Sequence, residues 1–184
     1  MIGPTVNETE EFIIQAHGQQ TRRNSDVFYH THPIAVAKIA LQILKDLIPD
    51  VSESDAQYIV NLALLHDTVE DTEVTIEMLA SMGYPIKLLN SLDLLTKYDD
   101  EFGKETHAEN VQRIIDSGDI AAIIVKMADT THNSIIDQSE VNWFHENNQD
   151  PVKATKRYLD SFNRLSNSNT IKELRLRQVQ NGYS

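Results

Sequence analysis

Apolar residues recur with a helical period along most of this chain. One such stripe follows Pro33, a residue that suits the first turn of a helix; its members are Val36, Ile39, Ala40, Ile43 and Leu47. The apolar run at 120–129 fits either a buried strand or a buried helix. Since no other segment has a convincing strand pattern to pair with it, we expect a helix there and an all-α fold.

Capping residues and prolines mark where further helices begin. We expect helices to start at or directly after Ser52, Thr75, Pro85, Thr106, Asp119 and Pro151. Gly83 and the Ser117–Gly118 pair are predicted helix ends. The polar stretches 97–105 and 137–150 are predicted loops.

A length of 184 residues suits one domain. We expect it to span 1–184, with a core at about 8–166 and a C-terminal helix or tail at 167–184. The absence of cysteine excludes disulfides, cysteine-based zinc fingers and thiol nucleophiles. The N-terminus lacks the basic and apolar regions of a signal peptide, and no apolar run approaches the roughly 18 residues of a membrane helix. We therefore expect a cytoplasmic protein without membrane association.

The formal net charge is −12. A nucleic-acid backbone is bound through clustered lysine and arginine side chains, and acidic residues dominate here, which argues against a DNA or RNA partner. A phosphorylated small molecule is compatible with this charge, because a bound cation and two or three local basic residues can reverse the sign inside one pocket.

Three short segments concentrate metal-ligand side chains beside apolar helix, at 29–33, 66–71 and 126–133. His66 and Asp67 end a fully apolar helix, and Asp129 follows an almost unbroken apolar run. A carboxylate at such a place is costly to desolvate unless it is paired or bound to metal. Together with a second histidine, these residues form a mixed set that suits Mn²⁺, Fe²⁺ or Zn²⁺ with open water positions.

Each residue also has an ordinary structural interpretation. His66 alone is more often a hydrogen-bonded core histidine, and Asp67 alone could cap a helix. Asp129 alone could pair with Lys126 or Arg113. The whole ordered set in one chain is what favours a metal site.

Glu70 and Asp71 lie one turn beyond His66 and Asp67, so on a continuing helix they would share a face with that pair. They are candidates for general acid and base. Arg23 and Lys97, with Arg22 or Lys104 as further candidates, are expected to offset substrate charge. The alternative is that Arg22 and Arg23 form a solvated surface pair and that Lys97 and Lys104 are ordinary surface lysines. His132 is a spare ligand candidate, whereas His30 and His107 are expected to serve packing or surface roles.

Several ordered motifs resemble one family. They are AHGQQTRR (16–23), YHTHPIAVA (29–37), ALLHDTVEDT (63–72), LLTKY (94–98), AENVQRII (108–115) and IIVKMADTTHN (123–133). In this order they are similar to the motifs of HD-domain phosphohydrolases, specifically the hydrolase domain of the RelA/SpoT family. The resemblance covers roughly residues 10–136.

This resemblance implies an HD-domain bundle of about eight to ten helices around one Mn²⁺ site, or another divalent cation such as Fe²⁺, Zn²⁺, Co²⁺ or Mg²⁺. The implied metal ligands are His32, His66, Asp67 and Asp129. The implied catalytic pair is Glu70 and Asp71, and the implied substrate-binding residues are Arg23, Asn133 and Lys97. The implied reaction removes the 3′-pyrophosphate of guanosine tetra- or pentaphosphate. The chain has no room for the family's other domains, so a small stand-alone alarmone hydrolase is expected.

The chain departs from the family pattern around the substrate. Asn24 replaces a basic residue, 25–28 replaces a Ser-Gly-Glu-Pro segment, Thr130 replaces an arginine and Ile136 replaces a threonine. An adenosine alarmone, NADPH or a 5′-nucleotide is therefore an alternative substrate. A nucleotide-sensing module without catalysis is a further alternative, and apolar C-terminal helices are compatible with a homodimer.

Overall fold

The computed structural model describes residues 3–22, 25–100, 103–136 and 138–181. Within these residues the chain forms eleven helices: α1 Val6–His17, α2 Thr31–Leu47, α3 Glu53–Leu65, α4 Thr68–Asp71, α5 Ile76–Ser81, α6 Ile86–Leu95, α7 His107–Ser117, α8 Ile120–Ser134, α9 Gln138–Glu146, α10 Pro151–Ser166 and α11 Asn169–Asn181. A two-residue hairpin pairs β1, Asp99–Asp100, with β2, Gly103–Lys104. Because α4 is a single turn, this architecture confirms the predicted all-α bundle of about eight to ten helices.

The predicted capping residues start the helices that the sequence indicates. The side chains of Ser52, Thr75 and Asp119 accept hydrogen bonds from backbone N–H groups in the first turns of α3, α5 and α8. Thr106 forms a reciprocal capping box with Glu109 at the start of α7. At the other end of α7 the chain adopts a left-handed conformation, φ 67°, which a glycine at position 118 tolerates without strain.

Helix α8 lies at the centre of the bundle and packs against α2 and α10. Every residue from position 121 to 130 is buried, including the fully enclosed Ile123, Ile124 and Val125. A helix that is covered on all sides has no polar stripe. This is why the sequence alone left helix and strand open for this segment.

The predicted loop at 137–150 is wrong, because Gln138–Glu146 forms α9. Phe144 of α9 is almost completely buried against Ala154 and Tyr158, forming a small cluster separate from the main core. Of the residues that suggested a loop, Asn142 lies within α9, whereas Asn147, Asn148 and Asp150 follow it. Asn148 has a positive φ of 54°, so these later residues mark the end of the helix.

Two further segments complete the bundle. The N-terminal helix α1, which was not predicted, begins with a capping box between Thr5 and Glu8 and buries Ile13. The C-terminal stretch forms α11, whose Ile171 is fully buried in the main core. None of the helices in the described ranges is both long and apolar enough to cross a membrane.

Candidate metal centre

Four ligand-type side chains approach one point from three helices. His32 lies in the first turn of α2, Asp129 lies on α8, and His66 and Asp67 directly follow the last residue of α3. Because α2 packs against both α3 and α8, these positions meet in the folded chain. His32, His66 and Asp129 are buried, and their ligand atoms all lie within 4.8 Å of one another.

The separations of the ligand atoms fit one shared cation. The Nε2 atoms of His32 and His66 lie 3.3 and 3.1 Å from Asp67 Oδ2. The same two atoms lie 3.4 and 3.7 Å from Asp129 Oδ1. Ligand atoms about 2.1 Å from a metal are about 3.0 Å apart at right angles and about 3.4 Å apart at tetrahedral angles. No large rearrangement is needed for these side chains to hold an ion.

The backbone orients the imidazole of His66. Its Nδ1 lies 2.8 Å from the carbonyl oxygen of Ala63, which can only accept, so Nδ1 carries a proton and donates it. The buried Nε2 faces the cluster and has no hydrogen-bond partner within the described part of the chain. Burial lowers the pKa of His66, but Asp67 and Asp129 outweigh this effect and raise it to about 10. This position therefore stabilises a positive charge, and a cation can take the place of the proton.

The second imidazole, that of His32, is in contact with another histidine. His32 Nδ1 and His132 Nδ1 are 2.9 Å apart, and the two rings are tilted by 50°. Burial and repulsion from His32 lower the pKa of His132 to about 4. His132 does not belong to the group of side chains whose ligand atoms converge.

Tyr29 holds the carboxylate of Asp67. Its hydroxyl donates a hydrogen bond of 2.6 Å to Asp67 Oδ2. Burial and the negative charges of Asp67 and Asp71 raise the pKa of Tyr29 far above its ordinary value, so the phenol stays protonated as a donor. Burial opposes the charge of Asp67, but the pKa of Asp67 is held well below its usual range by the neighbouring His66 and His32.

Asp129 is held from both sides of its carboxylate. Lys126 Nζ lies 3.0 Å from Oδ2, and Asn133 Nδ2 donates to Oδ1. Lys126 is buried, and although burial lowers its pKa, attraction to Asp129 raises it overall, so the lysine remains charged. The same pairing outweighs the burial of Asp129 and keeps the pKa of this carboxyl well below its usual range.

The acidic pair lies next to the cluster, although on a separate turn. Helix α3 ends at Leu65, as expected from the position of His66 and Asp67, and α4 begins at Thr68, so Glu70 and Asp71 do not lie on a continuation of α3. Glu70 Oε1 forms an ion pair of 2.6 Å with Lys97 Nζ. Partial desolvation of its carboxyl group and the charge of Asp67 raise the pKa of Asp71.

These groups line one cavity of about 180 Å³. Its lining consists of Arg22, Tyr29, His32, Asp67, Glu70, Asp71, Lys97, His107, Lys126, Asp129, Asn133 and Tyr158. Three of these side chains are cationic, and all three are paired with carboxylates: Lys97 and Lys126 as described above, and Arg22 with Glu140 of α9 at 3.0 Å.

Comparison with known proteins shows the family to which this geometry belongs. The HD-domain family model matches residues 29–134, which include all four converging side chains. The chain belongs to the HD-domain family. The match covers more than half of the chain, and it ends at the last residue of α8.

Curated relatives of this HD domain support the RelA/SpoT resemblance. It is 33% identical over 132 residues to GTP pyrophosphokinase rsh of Brucella ovis, covering 70% of this chain and 16% of that protein. It is 32% identical over 126 residues to the probable guanosine-3′,5′-bis(diphosphate) 3′-pyrophosphohydrolase of Synechocystis, covering 66% and 15%. It is 34% identical over 122 residues to the bifunctional (p)ppGpp synthase/hydrolase SpoT of Escherichia coli, and this match covers 64% of this chain and 16% of SpoT. The chain thus spans about a sixth of the length of these relatives.

A solved structure shares the fold along almost the whole chain. It is described as a metazoan ortholog of SpoT that hydrolyzes ppGpp, and it superposes with a TM-score of 0.56 at 19% identity, covering 94% of both chains. Taken together, the family match and the curated relatives support a metal-dependent phosphohydrolase.

The remaining predicted residues have different outcomes in this HD domain. Asn133 and Lys97 line the cavity, while Arg23 and Asn24 lie outside the described residues. Lys104 is largely exposed, pairs with Asp99 at 3.4 Å and is not among the lining residues, so the expectation that it faces substrate is not supported. Thr130 is fully buried, and its hydroxyl donates to the carbonyl groups of Lys126 and Met127.

Sequence reasoning missed two lining residues. His107 was expected to have a packing or surface role, and Tyr158 was not singled out. Both line the cavity, with their rings in edge-to-face contact at 5.6 Å. The position of His107 directly before the AENVQRII motif was a usable signal. For Tyr158, which lies far from every motif, we see no such signal.

Proposed function

We propose that this chain removes the 3′-pyrophosphate of guanosine tetra- or pentaphosphate, or of a closely related alarmone, and that His32, His66, Asp67 and Asp129 hold the divalent cation required. The observation that carries the proposal is the convergence of two imidazole nitrogens and two carboxylates beside an acidic pair. Relatives whose names include this hydrolysis support the choice of substrate.

The donor set suits Mn²⁺, with Fe²⁺, Zn²⁺, Co²⁺ and Mg²⁺ as alternatives, because mixed imidazole and carboxylate ligands bind ions of this class. When bound, such an ion polarises a phosphoryl oxygen and lowers the pKa of a water molecule. The buried Nε2 of His66 lies 3.1 Å from Asp67 Oδ2 but makes no hydrogen bond of normal geometry with the described residues, and this arrangement favours an ion between the two atoms.

Hydrolysis forms a bond between a water oxygen and phosphorus and breaks the bond from that phosphorus to the 3′ oxygen. The water loses a proton and the 3′ oxygen gains one, which gives GDP or GTP and pyrophosphate. Glu70, a carboxylate ion-paired with Lys97, is suited to accept the proton from water. Asp71, whose pKa is raised by partial desolvation and by the charge of Asp67, is suited to deliver a proton to the leaving oxygen.

The cationic side chains of the cavity offset the charge of a polyphosphate. Lys126 remains charged beside Asp129, and Arg22 and Lys97 lie on the partly exposed part of the lining. Phosphate oxygens compete well for such partners because charge-assisted hydrogen bonds are strong. Asn133, which already donates to Asp129, is a proposed contact to the nucleotide, as is Arg23.

The proposal is tested by incubating the purified protein with Mn²⁺ and separate substrates, followed by chromatography and phosphorus NMR of the products. The panel contains guanosine and adenosine alarmones, NADPH and deoxynucleoside triphosphates. We expect pyrophosphate and GDP or GTP from the guanosine alarmones. Release of inorganic phosphate from another nucleotide alone would overturn the substrate assignment while retaining phosphohydrolysis.

The alternative substrate rests on Thr130. The family pattern has an arginine at this position, whereas Thr130 is buried and bonded to its own helix. Because this cationic group is missing, the substrate-binding part of the chain departs from the family pattern, so an adenosine alarmone, NADPH or a 5′-nucleotide is the alternative substrate. A purely nucleotide-sensing protein would bind members of the same panel without forming any product.

A further inference from the structure

The two histidines of the proposed ligand set are oriented by different kinds of partner. A histidine that binds a metal through one ring nitrogen usually donates a hydrogen bond from the other, which fixes the tautomer and the ring orientation. For His66 the acceptor is the Ala63 carbonyl. For His32 the group at that position is the Nδ1 of His132, at 2.9 Å.

The chemistry of the contact assigns the protons. Two ring nitrogens at 2.9 Å form a hydrogen bond only when one of them carries a proton and the other presents a lone pair. His32 must keep its Nε2 lone pair free to bind an ion, so its proton is on Nδ1 and His32 is the donor. His132 is therefore a neutral imidazole that accepts through Nδ1 and carries its proton on Nε2.

The position of His132 makes it a fixed acceptor. It lies on α8, one helical turn after Asp129, and its ring centroid is 4.8 Å from that of His32. His132 is only partly buried, but it lies on the same helix as the buried Asp129, so the fold fixes its place beside the cluster. One helix thus supplies a carboxylate to the cluster and orients an imidazole that belongs to another helix.

We propose that His132 is a positioning residue, which does not bind the ion but fixes the tautomer and the ring of His32 so that Nε2 faces it. This inference rests on the proposed ligand set. It also explains why His132 contacts the Nδ1 of His32, the ring nitrogen that faces away from the proposed ion.

The test compares three variants by zinc affinity, measured in competition with a chelator and without any substrate. In His132→Asn the amide oxygen can occupy the place of Nδ1 and accept the same hydrogen bond, so we expect affinity within about threefold of the parent. His132→Leu removes the acceptor, and we expect affinity to fall by about tenfold to a hundredfold. His145→Ala, at an exposed position on α9, serves as the control for loss of a histidine.

Unchanged affinity in His132→Leu would overturn the inference. So would an equal loss in His132→Asn and His132→Leu, because that result indicates a direct ligand or a packing role. Circular dichroism and thermal unfolding of each variant establish that it is folded. If the leucine variant does not fold, the asparagine variant still tests the inference, because a large loss of zinc affinity in it would contradict the role of an acceptor.

A spectroscopic measurement gives an independent readout. Long-range ¹H–¹⁵N NMR of the zinc-loaded protein distinguishes ring tautomers, and we expect a proton on Nε2 of His132 and on Nδ1 of His32. A metal-bound nitrogen on His132 would overturn the inference. His66→Ala separates the two proposals. If this variant binds zinc as tightly as the parent, the ligand set itself is wrong. If it loses zinc while His132→Leu keeps the zinc affinity of the parent, only the role of His132 is contradicted.

Discussion

The cavity combines a buried cluster with a partly exposed rim. In the cluster, His32, His66 and Asp129 lie almost entirely out of solvent, and helix starts, helix ends or the buried α8 position them. On the rim, which we define as Arg22, Lys97 and His107, each side chain is held by a residue distant in sequence, such as Glu140 for Arg22. The cluster therefore tolerates little variation, whereas the rim can change with the substrate.

The largest effect is expected from Asp129→Ala. Removal of this carboxylate takes away one ligand and leaves the buried Lys126 without its partner, so metal binding and turnover should both be lost. Metal content by mass spectrometry and the pyrophosphate assay measure the two effects. Asp116→Ala, on the exposed face of α7, is the control. Full activity of Asp129→Ala would contradict the assignment of Asp129 as a metal ligand, and with it the distinction between cluster and rim.

The next largest effect is expected from Glu70→Gln. The amide cannot transfer a proton, so kcat should fall by about a hundredfold while the metal stays bound. Steady-state kinetics and metal analysis of the same preparation test this, with Glu73→Gln at a nearby exposed position as control. If Glu70→Gln lost metal together with activity, Glu70 would be a metal ligand and not a proton-transfer group.

An intermediate effect is expected from Tyr29→Phe, which removes the hydroxyl bonded to Asp67 at 2.6 Å. Without this donor Asp67 is oriented less firmly, so metal affinity should fall by about tenfold. Chelator competition measures the change. Tyr98→Phe removes a hydroxyl from an exposed tyrosine and should leave affinity unaltered; an equal loss in both variants would contradict the role given to Tyr29.

The smallest effect is expected on the rim. Arg22→Ala should raise KM by about fivefold, because a partly exposed charge contact is worth about 1 kcal/mol. Glu140→Gln weakens the competing partner of Arg22 and should leave KM equal to or below that of the parent. The control is Arg177→Ala on α11, where the side chain is largely exposed. If Arg22→Ala and Glu140→Gln raised KM equally, the role of Arg22 would be to hold α9 in place through its ion pair with Glu140, and not to contact substrate.

The same contrast separates what the sequence could and could not predict. The starts of α3, α5, α7 and α8 follow from capping residues, which act within one turn of the chain. The proposed metal ligands lie in short motifs, and the structure brings all four within reach of one ion, although their role as ligands stays a prediction. Local chemistry was sufficient for the helix starts, whereas the choice of these four residues also depended on the family resemblance.

Non-local contacts account for what was missed. Helix α9 depends on Phe144 packing against α10, and the asparagines after it gave the opposite local signal. His107 reaches the cavity in contact with Ser161, more than fifty positions away, a contact that no local pattern encodes.

The central position of α8 couples metal loading to the stability of the whole bundle. An ion that joins α2, α3 and α8 binds only the folded chain, and such binding adds about 2.7 kcal/mol to the free energy of unfolding at a hundredfold excess over Kd. Chelation should therefore lower the melting temperature without altering any residue. In cells, scarcity of the ion would reduce the lifetime of the protein as well as its turnover.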